Sequence, residues 1–238
     1  MPGLFITGTD TGVGKTQICA AIAHLLAKRN ICVIPRKPIE SGCTYTENGL
    51  IPEDALTLKT AANSTQSLNQ ICPFQFQPAI SPERAAIQAG IELSLNDIES
   101  ACLAGSAAND VILVEAAGGF YSPLAHKIRC ADLAVQLNFP VLLVVANRLG
   151  CINHTLLSVQ AIEHAGLELI AVIINQAAND HNTDMNNLAD LQRWLDYPLI
   201  PVHNHANSNT PWKTIAGESE TLQRFVDATL LPRLIENS

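Results

Sequence analysis

Charged and aromatic residues are scarce in this chain. Asp, Glu, Lys and Arg make up 15% of its 238 residues and aromatic residues 5%, whereas hydrophobic residues make up 47%. So little charge argues against a disordered chain and favours a parallel sheet that is buried on both faces. Positive charge is the scarcer sign, because the formal net charge is −8. A broad surface for nucleic acid or anionic membrane is therefore not expected, and any anion site must be built locally.

The sequence also has no Cys-x-x-Cys pair and no hydrophobic run of membrane length, and we expect no leader segment. None of the seven cysteines forms a Cys-x-x-Cys pair, so neither a zinc site nor a thioredoxin-type redox site is indicated. Apolar runs such as residues 141–146 are far too short to span a bilayer. Met1-Pro2-Gly3 leads directly into a predicted strand, which leaves no room for a signal peptide. We expect a reduced, soluble, cytoplasmic protein with a single domain over residues 1–238.

The most informative stretch is residues 4–16. A short apolar run ends at Gly8, small residues follow, and Gly14-Lys15-Thr16 opens an amphipathic helix. Glycines allow backbone N–H groups to turn towards an anion, and a helix start adds free donors, so this pattern predicts a phosphate-binding loop. Five residues rather than four separate Gly8 from Gly14, so either Thr9 takes the first position or the loop is one residue longer. A glycine-rich turn without a ligand is the simpler alternative.

Strands and helices alternate along the rest of the chain. The pattern predicts a doubly wound, mostly parallel sheet with helices on both faces. Residues 70–82 and the small-residue run 116–119 are expected to be irregular. Strands are expected at residues 31–34, 111–115, 141–146, 169–174 and 199–202, and helices at residues 15–29 and 218–235 and after Pro52, Ser81 and Ser94.

Three charged residues lie near predicted element ends. Glu115 closes an apolar strand, where a desolvated carboxylate needs a cation such as Mg²⁺ unless the strand end emerges into water. Asp54 lies in the first turn of a predicted helix, where an acid commonly complements the helix dipole. Lys37 follows a buried strand, and it is either a surface cation or a second cation for a transferred phosphoryl group.

Four ordered motifs together resemble those of the dethiobiotin synthetase family. The phosphate loop at residues 8–16 resembles that of the family, including its five-residue gap, and Lys37-Pro38 with Ser41-Gly42 resembles a second motif. Val114-Glu115-Ala116-Ala117-Gly118-Gly119 is close to the family's Val-Glu-Gly-Ala-Gly-Gly, and Gly150-Cys151-Ile152-Asn153-His154 matches a further signature. Asn175 occupies the family's nucleobase position. The similarity extends over roughly residues 3–176.

This resemblance implies a P-loop NTPase fold and an ATP- and Mg²⁺-dependent ligase of biotin biosynthesis. One amine of 7,8-diaminononanoate would react with CO₂ to give a carbamate, which ATP phosphorylates. The second amine would then attack the carbamic-phosphoric anhydride, and dethiobiotin, ADP and phosphate would leave. The resemblance also implies a homodimer with shared active sites.

The resemblance assigns roles to particular residues and reverses the simpler interpretation of Asp54. The catalytic residues would be Lys37, Lys15 and Thr11. Mg²⁺ would be held by Thr16, Asp54 and Glu115. ATP would be bound by Gly12, Val13, Gly14, Lys15, Thr16, Gln17, Asp54, Glu115, Ala116, Ala117, Gly118, Asn175, Gln176, Asn204, His205 and Ala206. The substrate would be bound by Thr11, Lys37 and Ser41, and at its carboxylate by Gly150, Cys151 and Asn153 of the second subunit.

The chain departs from the family pattern at three places. Ala116 replaces the usual glycine, which costs about 1–2 kcal/mol if the position needs a positive φ. Glu83 stands where members often have histidine, and the usual Gly-x-Ile-Pro is absent after Pro198-Leu199-Ile200. A related amide-forming ATPase, similar to cobyrinate diamide synthase, is one alternative, although it gives no reason for residues 150–154. A nucleotide-switch or partitioning ATPase is another, although such proteins commonly carry an extra lysine early in the loop.

Overall fold

The structure is a computed structural model that describes residues 2–176, 185–203 and 208–236. The strands are β1 (Gly3–Gly8), β2 (Val33–Arg36), β3 (Ile39–Ser41), β4 (Thr44–Thr46), β5 (Gly49–Ile51), β6 (Phe74–Phe76), β7 (Val111–Gly119), β8 (Pro123–Ala125), β9 (Ile128–Arg129), β10 (Val141–Ala146), β11 (Leu169–Gln176) and β12 (Leu199–His203). The helices are α1 (Lys15–Ala27), α2 (Glu53–Ala61), α3 (Leu68–Ile71), α4 (Pro82–Ala89), α5 (Leu95–Leu103), α6 (Cys130–Leu137), α7 (Cys151–His164), α8 (Asn187–Leu191), α9 (Pro211–Glu218), α10 (Glu220–Phe225) and α11 (Leu231–Glu236). A π-helical turn, Val226–Leu230, joins α10 to α11.

Six parallel strands form the central sheet of the described residues, in the order β12-β11-β10-β1-β7-β2. Side chains alternate between the two faces of each strand. In β1, Leu4 and Ile6 pack into a hydrophobic cluster with α1, α9 and α10, whereas Phe5 packs into a second cluster with α5, α6 and α7. The doubly wound, mostly parallel architecture predicted from the sequence is confirmed.

Most predicted elements are present, but four expectations are wrong. β2 continues through Pro35 to Arg36, because it is an edge strand, where a proline removes no ladder hydrogen bond that the sheet needs. β7 continues through the small residues to Gly119, which pairs with Gly8 after a register shift. Residues 70–82 are not wholly irregular, since they contain the end of α3 and β6, which pairs with β3. The predicted helix at residues 218–235 begins at Glu220 and is interrupted by the π-helical turn.

The carboxyl ends of the parallel strands lie at one edge of the sheet. β1, β7 and β10 are neighbours there, and β1 is the strand at which the chain passes from one half of the sheet to the other. Ligands of such sheets bind outside this edge, at the point where the strand order reverses. Among the helices of the described residues, none combines the length and the apolar character that a membrane span requires.

Candidate active site

The turn between β1 and α1 is a glycine-dependent loop. Gly12 and Gly14 have φ angles of 74° and 97°, which residues with a Cβ rarely adopt. Gly14 also lacks space for a side chain, since a Cβ there would lie 2.1 Å from Nδ2 of Asn175. Lys15 begins α1, is only 6% exposed, and donates from Nζ to the backbone oxygen of Asp10 at 2.8 Å. The loop therefore combines the backbone conformation and the cation of a phosphate-binding site.

A buried charged cluster lies beside this loop. The Lys37 ammonium contacts Oε1 of Glu115 at 2.5 Å and Oδ2 of Asp54 at 2.8 Å. The Thr16 hydroxyl donates to the same Glu115 oxygen at 2.8 Å. Lys37 and Glu115 are only 4% and 1% exposed, whereas Asp54 is partly exposed. The residue after β2, the start of α2, the middle of β7 and the start of α1 thus contribute one side chain each.

Burial and charge pairing act against each other in this cluster. Burial alone would lower the pKa of Lys37, but Glu115 and Asp54 outweigh it and hold that pKa above its usual range. Burial raises the pKa of Glu115 although Lys37 opposes the shift, whereas Lys37 keeps the pKa of Asp54 below its usual value despite burial. Burial, and then the charge of Lys37, lower the pKa of Lys15. The fold therefore holds Lys37 charged, whereas no carboxylate among the described residues forms an ion pair with Lys15.

The oxygen atoms of this cluster are hard ligands. In the described part of the chain, no three His, Cys, Asp or Glu residues form a group that could hold a metal ion by themselves. Two carboxylates and a hydroxyl are nevertheless what Mg²⁺ uses when nucleotide phosphates and water complete its shell. Oε2 of Glu115 is buried and has no hydrogen-bond partner among the described residues. An unpaired buried carboxylate oxygen is costly, so this donor set fits a cation beside the phosphate loop.

A cavity of about 440 Å³ opens next to the charged cluster. Its wall includes Thr11, Lys37, Ser41 and Asp54, which the sequence predicted as site residues, and also Glu40. The structure therefore brings the proposed diamine-binding residues together with the proposed metal ligand Asp54. The volume lies within the range of small-molecule sites.

A second groove, of about 360 Å³, lies at the opposite end of the strands. Gly3 and Asn138 are among the residues that line it. It contains none of the charged cluster, so the chemistry favours the cavity at the carboxyl end.

The small residues after Glu115 form the floor of the cavity. Ala117 and Gly118 line it, and Gly118 has a φ of 76°. A Cβ at Gly118 would lie 2.3 Å from Oγ of Ser122, so this glycine is needed for both its conformation and its size. Ala116 is buried in β7 and does not adopt a positive φ. Its replacement of the usual glycine therefore carries no backbone strain.

Asn175 lies at the carboxyl end of β11, beside the phosphate loop. Its Nδ2 donates to the backbone oxygen of Val13 at 2.9 Å, and its buried Oδ1 has no partner among the described residues. Gln176 is the last residue of β11. The Gln17 side chain accepts from the backbone N–H of Trp212 at 3.0 Å, so it fastens α9 to α1. The predicted ATP contacts Asn204, His205 and Ala206 lie outside the described residues.

The segment at residues 150–153 does not reach the cavity within one chain. Gly150 has a φ of 90° and precedes α7, while Cys151 is buried with Sγ 4.0 Å from Oδ1 of Asn147. Asn153 is exposed, and the neighbouring Leu149 is 85% exposed. None of Gly150, Cys151 and Asn153 lines the cavity. These residues therefore lie apart from the cavity of their own chain, and their carboxylate-binding role stays a prediction.

Glu40 is a site residue that the sequence did not reveal. Its Oε1 accepts from the backbone N–H of Asp54 at 2.9 Å, and its Oε2 accepts from the N–H of Ala55 at 3.0 Å. Burial, and then the charge of Asp54, raise the pKa of Glu40 to about 7. The sequence contained one indication that α2 needs an acceptor from elsewhere in the chain. Pro52, the residue before α2, has no side-chain acceptor with which to cap that helix.

Glu83, at the position where the family often has histidine, lies beside the cavity rather than in it. Ser81 and Pro82 line the cavity, but Glu83 does not. Its Oε1 lies 3.9 Å from Nδ1 of His126, in the turn between β8 and β9.

The similarity to known sequences extends over most of the chain. A family described as an AAA domain matches residues 2–216. The ATP-dependent dethiobiotin synthetase BioD of Pseudomonas paraeruginosa (strain DSM 24068 / PA7) is 42% identical over 203 residues, which cover 84% of this chain and 88% of that protein. The enzyme of the same name from Xylella fastidiosa (strain 9a5c) is 39% identical over 198 residues, covering 83% and 88% of the two chains.

Solved structures with a similar fold have much lower sequence identity. The septum site-determining protein MinD of Pyrococcus horikoshii OT3, complexed with Mg-ADP, is 15% identical and gives a TM-score of 0.58 with 98% of each chain covered. A ParA family ATPase from Chlorobium tepidum TLS is 11% identical and gives a TM-score of 0.53, with 99% of this chain and 97% of that chain covered. At such identities the likeness concerns the fold alone, which is the predicted P-loop NTPase fold. The sequence relatives decide the family, and the chain belongs to the ATP-dependent dethiobiotin synthetases.

Proposed function

We propose that this chain forms dethiobiotin in biotin biosynthesis by closing a ureido ring on 7,8-diaminononanoate with CO₂ and ATP. The observation that carries the proposal is the meeting of Lys37, Asp54 and Glu115 beside the phosphate loop and on the edge of a 440 Å³ cavity. This arrangement would place a triphosphate beside a small-molecule substrate. Membership of the dethiobiotin synthetase family supports the same reaction.

The phosphate loop provides the nucleotide site in this proposal. Backbone N–H groups from Gly12 to Thr16 would surround the phosphates at the start of α1, where unpaired donors and the helix dipole favour an anion. Lys15 would donate to the terminal phosphates in place of the Asp10 carbonyl, to which it donates here. The exchange replaces a neutral acceptor by a charged one, which pairs the Lys15 ammonium with an opposite charge.

Thr16, Asp54 and Glu115 are the proposed ligands of Mg²⁺. The unpaired Oε2 of Glu115 and the hard oxygen donors of all three residues support this assignment. When bound, the ion would neutralise charge on the β- and γ-phosphates and so favour phosphoryl transfer.

The cavity residues would bind the reacting amines. Thr11 and Ser41 supply hydroxyl groups, and Lys37 supplies a charge that favours the carbamate anion formed from one amine and CO₂. A carbamate oxygen then takes the γ-phosphoryl group, and ADP leaves. The second amine attacks the carbonyl carbon, a C–N bond forms, the C–O bond to phosphate breaks, and phosphate leaves as the amine loses its proton.

A second copy of the chain would complete the site. The first-turn N–H groups of α7 and the exposed Asn153 side chain would bind the carboxylate of the substrate, which lies at the far end of its aliphatic chain. The position of Gly150, Cys151 and Asn153 outside the cavity of their own chain supports a role in a neighbouring subunit.

A single domain over residues 1–238 and a cytoplasmic location are also part of the proposal. The two hydrophobic clusters share the central sheet, which supports one domain. All seven cysteines are free thiols, which is typical of proteins from a reducing compartment.

The proposal is tested by incubating the protein with diaminononanoate, bicarbonate, Mg²⁺ and ATP and detecting dethiobiotin by mass spectrometry. Carbon-13 bicarbonate should add one mass unit to the product, because one carbon atom enters the ring. Absence of labelled dethiobiotin from a folded, nucleotide-binding preparation would refute the proposal.

A further inference from the structure

Glu40 is a buried carboxylate in β3 that holds the start of α2. It is 6% exposed, and its two oxygens accept from two consecutive backbone N–H groups of α2, those of Asp54 and Ala55. These partners are 14 and 15 residues further along the chain. The contact is therefore a tether between two elements rather than a local cap.

Helix α2 depends on this external acceptor. The first N–H groups of a helix have no partner inside it, and a side chain at the N-cap position usually accepts from one of them. The N-cap of α2 is Pro52, which makes no side-chain cap hydrogen bond. Glu40 takes over that role from a different strand.

Asp54, whose backbone N–H donates to Glu40, is also held through its side chain. Oδ2 of Asp54 contacts Nζ of Lys37 at 2.8 Å, and Lys37 lies three residues before Glu40 on the same segment. Lys37 is anchored in turn, because its backbone N–H donates to the oxygen of Ile71 at 3.0 Å. The segment at residues 37–40 thus holds both the backbone and the carboxylate of Asp54.

We propose that Glu40 is a positioning residue for the metal site: it fixes Asp54 at the distance from Glu115 and Thr16 at which all three bind one divalent cation. The inference rests on the proposed function, since it assumes that Mg²⁺ and nucleotide bind at this cluster. Glu40 lines the cavity, but its proposed role is to position Asp54 rather than to bind the substrate. Its effect is on how strongly Mg²⁺ increases nucleotide affinity.

The test measures ADP binding by calorimetry, with Mg²⁺ and with EDTA, for the wild type and for Glu40→Gln. The amide of glutamine keeps one acceptor but places an NH₂ group against the second N–H donor. Glu40→Gln should weaken ADP binding in Mg²⁺ by about tenfold, which corresponds to about 1.4 kcal/mol, and by less than about twofold in EDTA. Glu53→Gln is the matched control, because it makes the same substitution at an exposed position in the first turn of α2. The control should bind as the wild type does under both conditions.

A second variant separates positioning from simple stabilisation of the helix. In Glu40→Gln combined with Pro52→Ser, the serine can cap the same N–H groups locally but cannot join α2 to β3. We expect the thermal stability of the double variant to recover while its ADP affinity in Mg²⁺ stays about tenfold weak. Recovery of both quantities would overturn the inference, as would equal effects of Glu40→Gln and Glu53→Gln. A wild-type protein whose ADP binding does not respond to Mg²⁺ would instead contradict the proposed function.

Discussion

Lys15 and Lys37 lie in the same site but in opposite electrostatic environments. Lys37 contacts two carboxylates, which hold its pKa above the usual range, whereas Lys15 contacts a carbonyl and has its pKa lowered by burial and by Lys37. The charge of Lys15 is therefore poorly compensated in the folded chain. Such a cation is disfavoured until an anion arrives, which is the condition expected of a phosphate-binding lysine.

Lys15→Ala should abolish most ring closure and leave the fold intact. Loss of one preorganised donor to developing charge lowers kcat by about 10²–10³. A folded-state pKa below the usual value means that the charged form of Lys15 opposes folding at neutral pH, so its removal should not lower the melting temperature. Steady-state kinetics and thermal unfolding check the two expectations. Lys28→Ala, at the exposed far end of the same helix, is the control, and comparable activity in the two variants would contradict the role of Lys15.

Asn175→Ala should reduce the preference for ATP over GTP. The buried Oδ1 of Asn175 can accept from the 6-amino group of adenine, whereas guanine presents a carbonyl oxygen at that position. Losing one hydrogen bond of about 0.5–1.5 kcal/mol should lower kcat/KM for ATP by up to about tenfold. The value for GTP should stay constant or rise. An unchanged ratio of kcat/KM for the two nucleotides would show that Asn175 does not read the base.

At the level of single elements, the sequence predicted features that depend on neighbouring residues, but it did not predict those that depend on residues far apart in the chain. A helix was predicted after Ser94, and in the structure Ser94 and Asp97 form a reciprocal capping box at the start of α5. The start of α2 was also predicted, but its true cap comes from Glu40 through pairing that no local pattern encodes. β7 was predicted to end at Glu115, because small residues favour loops. The sheet extends it to Gly119 through pairing with β1.

Ser94→Ala should destabilise the protein without affecting the active site. Loss of a serine N-cap costs about 1 kcal/mol, which corresponds to a decrease in melting temperature of about 2–4 °C for a chain of this size. Activity below the melting transition should be that of the wild type. A drop in kcat with no change in melting temperature would contradict this assignment.

The stabilisation by this capping box should depend on pH in a defined direction. The hydroxyl of Ser94, followed by its backbone N–H, lowers the pKa of Asp97 below the usual 3.8. A carboxyl with a lowered folded-state pKa stabilises the fold above its unfolded-state pKa and loses that contribution as the pH falls through the folded-state value. The difference in unfolding free energy between the wild type and Ser94→Ala should therefore shrink below about pH 4. Urea unfolding at pH 7 and pH 3 measures it, and a constant difference would contradict the role of Asp97.

For the molecule as a whole, the sequence predicted the fold and most of the residues that the structure brings together at the carboxyl end of the sheet. The motifs at residues 8–16 and around Lys37 and Glu115 are continuous in sequence, and parallel strands bring their ends to one edge of the sheet. Asp54 was not recognisable from the residues alone, because an acid in the first turn of a helix is common on structural grounds. The opposite is true of Gly150, Cys151 and Asn153. Their motif was recognised in the sequence, but they do not line the cavity of their own chain.

If two copies share their sites, two inactive variants should restore each other. Lys37→Ala removes the cation in the cavity, and Gly150→Val with Asn153→Ala distorts the start of α7, since a β-branched residue strongly disfavours the φ of 90° at residue 150. Each homodimer then has a defect in both composite sites and should be nearly inactive. A mixed dimer has one site with both defects and one with none, so an equal mixture after random exchange should give about one quarter of wild-type activity. Subunit exchange is verified by native mass spectrometry of differently tagged chains. If mixed dimers form and activity stays at the level of the separate variants, the carboxylate of the substrate is bound within a single chain.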